Sequence, residues 1–353
     1  MSLSAVSKVA GVSIATVSRV VNNNGQVSRA LVDAVQAAIL EVGYVPEERR
    51  VGRPRRLPGV ARTGSLAVLF PDTDFSVIRT ALSSRLLSGV EQLTRQHGLT
   101  MIVTGLPAAH RAPPCIENRQ VDGVIVRSPN PFHHLQSVQI SCPAVFVFEV
   151  PPFAVGSSDI VVEDNELIGT MAARWLLDRG HHRLAFVSTM PKHAAFVTRR
   201  LFFRETAEQA GASVVVANAE LPGAELVEQL FGDRGGGGGG AYPTGIFVPE
   251  PEEKITDVYR ALSARGVRVG KDVDVIGCAN DVTSLSILDP NLANIDINPE
   301  QIGQTAVELL LWRLRHPKMP ARKIVVPPRL RKPGGVTEVT LGGVHSGAVE
   351  ERS

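Results

Sequence analysis

Cysteine is scarce in this sequence: Cys115, Cys142 and Cys278 are the only three, far apart and in no metal-ligand spacing. That excludes a disulfide scaffold and a zinc-ribbon pattern, and the three read as reduced, small core residues. Long apolar runs are missing too. The longest candidate, Ala144–Gly156, is broken by Glu149 and two prolines, short of the roughly 18 apolar residues of a membrane span. No basic segment followed by an apolar one opens the chain, so no secretory signal is expected. The six glycines at 235–240 are not followed by the Gly-Lys-Ser/Thr of a phosphate loop and read as a flexible surface loop. No nucleophile with its base, metal cluster or nucleotide fingerprint stands out, which makes an enzyme a weak reading.

What is present suffices for a globular protein. At about 150 residues per domain, a chain of 353 makes two sizeable domains plus something small. A hydrophobic share of 44% with 20% charged residues argues against wholesale disorder. The net charge of +2 is unevenly spread: residues 1–64 hold nine basic groups, Arg19, Arg53 and Arg55 among them, against four acids. The head thus carries +5 and the remainder −3. A basic head on a mildly acidic body suits a polyanion partner, with a solvated basic linker as the plain alternative.

Residues 1–45 read as three short helices. Val6, Val9 and Ala10 keep helical spacing up to Gly11, a natural stop, and Ser13 stands at an N-cap before Val17, Val20 and Val21. Ser28 is placed to cap a third helix with a buried stripe of Leu31, Val35, Ala38, Ile39 and Val42, closed by Gly43. From Gly64 onward, short apolar runs alternate with helical patterns: strands at 66–70, 100–104, 121–126, 144–148, 184–188, 214–217, 245–248 and 273–277, and helices at 82–97, 165–178, 199–210 and 254–265. This alternation predicts two parallel sheets with crossover helices. A helix over 302–314, a last strand over 323–327 and a loose tail from 332 complete the pattern.

The segment Val9-Ala10-Gly11-Val12-Ser13-Ile14-Ala15-Thr16-Val17-Ser18-Arg19-Val20-Val21-Asn22, with Val27-Ser28 and Gly43-Tyr44-Val45-Pro46, resembles the DNA-binding head of the lac-repressor (LacI/GalR) family. The resemblance implies a helix-turn-helix whose second helix lies in the major groove. It places Ile14 and Ala15 at base-reading positions and Thr16, Ser18 and Asn22 at phosphate contacts. Arg19 is placed within reach of a guanine edge. Helix filler and a solvated cation are the structural alternatives. Ile14 and Ala15 cannot form bidentate hydrogen bonds, so their contribution is apolar contact, as to a thymine methyl. Ala5 departs from the acidic residue usual there.

The body resembles the family from about Ser65 to Glu338, through Leu66–Asp72, Val121-Asp122-Gly123, Asp164-Asn165, Gly180–Arg183 and Ile302–Ala306. The implied architecture is a three-helix head plus a periplasmic-binding-protein-like body of two doubly wound α/β lobes, with a small-molecule cleft between them. Phe75, Glu149 and Arg199 align with cleft positions, as an aromatic wall, a hydroxyl acceptor and a bidentate donor, and Asp281 is the fourth effector candidate. The family's Asn-Asp pair near residue 250 is replaced by Pro249-Glu250-Pro251-Glu252, which suggests a different effector or none. For each cleft residue a structural role is the alternative. The linker also departs: Pro54 obstructs a hinge helix, and Gly52-Arg53-Pro54 resembles an AT-hook core that lays Arg53 and Arg55 in a narrow A·T minor groove. A plain basic linker competes with that reading.

The expected layout is a head at 1–46, a basic linker at 47–64, a two-lobed effector and dimerisation domain at 65–339 and a tail at 340–353. The expected function is a cytoplasmic, dimeric DNA-binding regulator, a repressor, on an inverted-repeat operator. Its effector is a small molecule, with sugars the family's class; no cofactor, metal or membrane partner is implied. The alternative is a small-molecule-binding protein with a vestigial head. Two heads are expected because one short helix reads too few base pairs, and helix 302–314 is a candidate for the interface.

Overall fold

A computed structural model describes residues 3–21, 27–44, 63–71, 76–106, 111–127, 135, 138–149, 152–232, 242–279, 288 and 292–333. The chain divides into two compact units, Met1–Arg55 and Arg56–Ser353.

In the first unit, α1 (Leu3–Ala10), α2 (Ile14–Val21) and α3 (Arg29–Val42) close around Val6, Val17, Val35 and Ala38. The chain bends by 107° between α1 and α2, within the range of about 90–120° for a helix-turn-helix. Gly11 makes the bend at φ +61°, left-handed backbone that glycine adopts without a Cβ penalty. Ser7 locks the turn: its hydroxyl donates to the Val12 carbonyl at 2.6 Å. Ser13 caps α2, its Oγ accepting from the Thr16 amide at 3.1 Å. Ser28 stands at the N-cap of α3, yet its side chain makes no cap bond; only its carbonyl accepts, from Leu31 and Val32. Gly43 ends α3 in the left-handed conformation.

The second unit holds two six-stranded sheets. The first runs β11 (Lys323–Val326), β5 (Asp159–Glu163), β4 (Ala144–Val147), β3 (Gly123–Arg127), β1 (Ser65–Phe70), β2 (Thr100–Gly105), all parallel. The second runs β12 (Arg329–Arg331), β10 (Ala293–Asp296), β9 (Asp274–Gly277), β8 (Gly245–Val248), β6 (Arg183–Ser188), β7 (Ser213–Asn218), parallel except for β12 on β10. Among the helices are α4 (Ala81–Gln96), the single turn α5 (Pro114–Glu117), α6 (Asn165–Leu177), α7 (Ala194–Gln209), α8 (Gly223–Phe231), α9 (Glu252–Ala264) and α10 (Pro299–Arg315). The described chain passes from sheet to sheet at 163–165, 296–299 and 326–329.

The two-lobe α/β expectation is met. Strands β5, β10 and β12 and helix α8 were not foreseen, because charge interrupts the short strands: Asp159, Glu163, Asp296, Arg329 and Arg331 lie in or at their ends. Helix α7 begins at Ala194 rather than Arg199, its uncharged first turn held by packing on α6. The predicted helix 302–314 is α10, but its apolar face is already buried against α4 and β3–β5, so it is not free to form an interface. Gly89 and Gly303 bring α4 and α10 together: a Cβ at 89 would lie 2.0 Å from the Glu300 carbonyl oxygen, and one at 303 would lie 2.4 Å from that of Leu86.

The glycine run 235–240 and the tail beyond Pro333 lie outside the described residues.

Candidate DNA interface and ligand cleft

Helix α2 is short and rich in β-branched residues, so its stability comes from Val17, which is fully buried in the head core. Burying that face turns the opposite one outward. Ile14 is 51% exposed, and Ala15 and Arg19 are exposed with it. Arg19 makes no hydrogen bond or ion pair among the described residues, which leaves its five donors available to phosphate or base. Thr16 and Ser18 are half-buried, and the Thr16 hydroxyl sits 2.9 Å from that of Ser13. Asn22, Arg53 and Arg55 lie outside the described residues.

In the body, parallel sheets direct ligands to the carboxyl ends of their strands, where the strand order reverses. The second sheet reverses between β6 and β8. Glu250, just past β8, is fully buried there and saturated from within. Its Oε1 accepts from Ser188 Oγ at 2.7 Å, the Thr189 amide at 2.7 Å and the Met190 amide at 3.0 Å; its Oε2 accepts from Thr189 Oγ1 at 3.0 Å. This carboxylate fixes the loop from β6 to α7 instead of facing a ligand.

That loop sets the start of α7, where His193, Phe196 and Arg199 follow one another along one side. The His193 ring stacks on Phe196 at 4.2 Å, and the Arg199 guanidinium lies 5.3 Å from the same ring's centroid. Arg199 is 4% exposed. It donates to Asn165 Oδ1 at 2.8 Å, to the Pro249 carbonyl at 2.8 Å and to Glu163 Oε1 at 3.4 Å. Its Nη1 also lies 3.4 Å from Cys278 Sγ, whose thiol burial pushes up to about 11. Arg199 is thus already held by protein groups on three sides. Glu163 is equally buried, and its Oε2 has no hydrogen-bond partner among the described residues. The position of α7 depends on Gly169 of α6, where a Cβ would lie 2.3 Å from the Arg199 carbonyl oxygen.

Glu149 follows β4 on the other lobe, and its Oε1 lies 3.0 Å from His193 Nε2. Phe148 before it adopts φ +63°, strained for a bulky residue, and packs against the cores of both lobes. The expected donor Arg199 and acceptor Glu149 thus sit at the strand ends around α7, joined through His193 and Phe196. Phe75 and Asp281 lie outside the described residues. Sequence reasoning missed Glu163, His193 and the inward role of Glu250. In the turn before β6, His182 is exposed, whereas His181 is bonded to Asp274 at 3.0 Å and Thr244 at 3.1 Å.

The passage between lobes at 296–299 carries a second charged cluster. Asp296, 1% exposed, accepts two bonds from Arg85 at 3.0 and 2.9 Å, two from Arg331 at 3.1 and 2.7 Å and one from the Asn298 amide at 2.8 Å. Burial works against its charge, yet the Arg85 bonds and charge hold its carboxyl below the usual range. Arg85 also pairs with Glu300 at 2.6 Å. No group of three or more potential metal ligands occurs among the described residues.

Two family models match the chain: bacterial regulatory proteins of the lacI family over residues 2–47, and a periplasmic binding protein-like domain over residues 173–332. The Escherichia coli K12 ribose operon repressor is 24% identical over 341 residues, covering 93% of this chain and 98% of the relative. A transcriptional regulator CelR–cellobiose complex superposes with a TM-score of 0.62 at 23% identity, covering 94% of this chain and 99% of that one. The lac repressor dimer bound to operator and the anti-inducer ONPF superposes with a TM-score of 0.59 at 21% identity, covering 94% and 98%.

Proposed function

With a lacI-type head and a periplasmic-binding-protein-like body on one chain, this protein belongs to the LacI family of bacterial regulatory proteins, and we propose that it is a dimeric transcriptional repressor whose hold on its operator is set by a small molecule between the lobes. One observation carries the reading: α2 buries Val17 and turns Ile14, Ala15 and an unpaired Arg19 outward across a 107° helix-turn-helix bend. Ile14 and Ala15 meet base edges by apolar contact, Arg19 donates to a guanine edge, and Thr16, Ser18 and Asn22 meet phosphates. Arg53 and Arg55 add minor-groove or phosphate contacts between half-sites.

Two copies on a two-fold site supply the specificity that one short helix lacks. Apolar side chains left exposed on the second lobe, Leu201 and Val215 among them, are available to the partner subunit. The effector we favour is a sugar, in keeping with the ribose and cellobiose named for relatives. Glu149, Arg199 and Asp281 are its polar contacts and Phe75 its apolar wall, and the unpartnered Glu163 Oε2 is an acceptor ready for a hydroxyl. We read the chain as a regulator without turnover, working in the cytoplasm where its operator is. No single described helix is long and apolar enough to cross a membrane.

The test is fluorescence anisotropy with duplexes from the region upstream of its own gene, with and without ribose or cellobiose. A sugar that shifts operator affinity at least fivefold supports the reading. Operator binding indifferent to every sugar, with no sugar raising the melting temperature, refutes the cleft assignment.

A further inference from the structure

Helix α6 runs 13 residues from the cleft end of the second lobe, about 20 Å at 1.5 Å per residue, and its far end opens a separate groove. The cavity there measures about 510 Å³ and is lined by Met171, Arg174, Trp175, Arg179, Leu330 and Lys332, together with Asp178 and Pro333. That volume lies within the usual range for small-molecule sites, roughly 300–1,000 Å³. Met171, Trp175 and Leu330 are buried and form an apolar floor; Arg174, Arg179 and Lys332 are exposed and form a cationic rim. Arg179 lies 4.9 Å from the centroid of the Trp175 ring and is shared with Asp274. The side chains of Arg174 and Lys332 make no hydrogen bond or ion pair among the described residues. With Arg179 paired to Asp274, Arg174 and Lys332 face the one carboxylate of Asp178, so the rim keeps one positive charge in excess against the partial negative charge, about half a unit, at the carboxyl end of α6.

We propose that this groove binds a small organic anion, a carboxylate, sulfonate or phosphate joined to a compact apolar body, as a second ligand site apart from the cleft. The apolar body lies on Met171, Trp175 and Leu330, where it removes the remaining apolar surface from water. The anionic group meets Arg174 and Lys332, whose charges have no other partner there. Neither the cleft residues nor the head take part, so the site stands independently of the effector reading.

The probe is 8-anilinonaphthalene-1-sulfonate, an aromatic sulfonate, titrated into the full chain at low ionic strength. Its own emission and the quenching of tryptophan are followed together. Two tryptophans occur, Trp175 and Trp312, so Trp175→Phe assigns the quenched one. The expected result is saturable binding that quenches Trp175 and weakens at least tenfold in the Arg174→Glu/Lys332→Glu variant. Both changes are at exposed positions, and an unchanged melting temperature verifies the fold. Unchanged probe affinity in the charge-reversed protein overturns the proposal. A wild-type chain that takes up no probe also overturns it. If neutralising Glu338, Glu350 and Glu351 then restores uptake, the groove's occupant is the chain's own C-terminal segment.

Discussion

His193 and Glu149 meet at 3.0 Å from opposite lobes, one at the N-cap of α7 and the other just past β4. This contact ties the two lobes together. Removing either partner loosens the contact between the lobes, at a cost of about 0.5–1.5 kcal/mol for one hydrogen bond. Thermal denaturation of His193→Ala, Glu149→Ala and the double variant checks this. The two losses are expected to be non-additive, because one bond is counted in both.

The Asp296 cluster is expected to matter more. Replacing Arg85 by Ala leaves a buried carboxylate short of two bonds, a change worth roughly 3–5 kcal/mol when a buried pair is broken. Urea denaturation of Arg85→Ala reads this as a lower midpoint.

Acid sensitivity follows from the same group. The folded Asp296 carboxyl lies below its ordinary value, as does that of Asp274, where burial is outweighed by the bonds from Arg179 and His181. A depressed folded pKa contributes stability that is fully present above the unfolded value of about 3.9 and is lost as pH falls through the folded value. Melting temperatures recorded from neutral pH down to pH 3 are therefore expected to fall through the acid range, and less steeply in Asp296→Asn.

Helix packing in the first lobe depends on Gly89 and Gly303, with no room for a Cβ at either. Gly89→Ala forces α4 away from α10 and is expected to destabilise by about 1–3 kcal/mol, the usual cost of overpacking. The head is a compact unit of its own, so calorimetry of Gly89→Ala is expected to move the body transition alone.

At the DNA interface, Arg19→Ala is expected to lose about 1–3 kcal/mol of specific binding and to relax preference at one base pair per half-site. Anisotropy with the selected operator and single-base variants measures both.

Much of this was legible locally. Gly11, Ser13 and Gly43 act within their own turns, so the bend, the cap and the stop could be read from neighbours in sequence. The alternation of strands and helices was equally plain. What escaped depends on partners far along the chain. Asp159 sits in a buried strand because Arg313 reaches it with two bonds, at 2.6 and 2.8 Å. Asp296 is tolerated through Arg85, 211 positions away. Glu250 stands where the resemblance expects an Asn-Asp pair, and only the fold brings Ser188 and Thr189 to it. His193 carried a weak signal, a histidine shortly after a strand, in a segment read as loop because α7 was expected to start at Arg199.

The measurement that bears most directly on the account is selection from random duplex DNA by the full-length protein, repeated with Arg19→Ala. The account predicts an enriched inverted repeat of two half-sites, with one base pair per half-site losing its preference in the variant. No enrichment at low salt, with or without sugars, or an enriched site bound equally by Arg19→Ala, would contradict the placement of α2 as the reading helix.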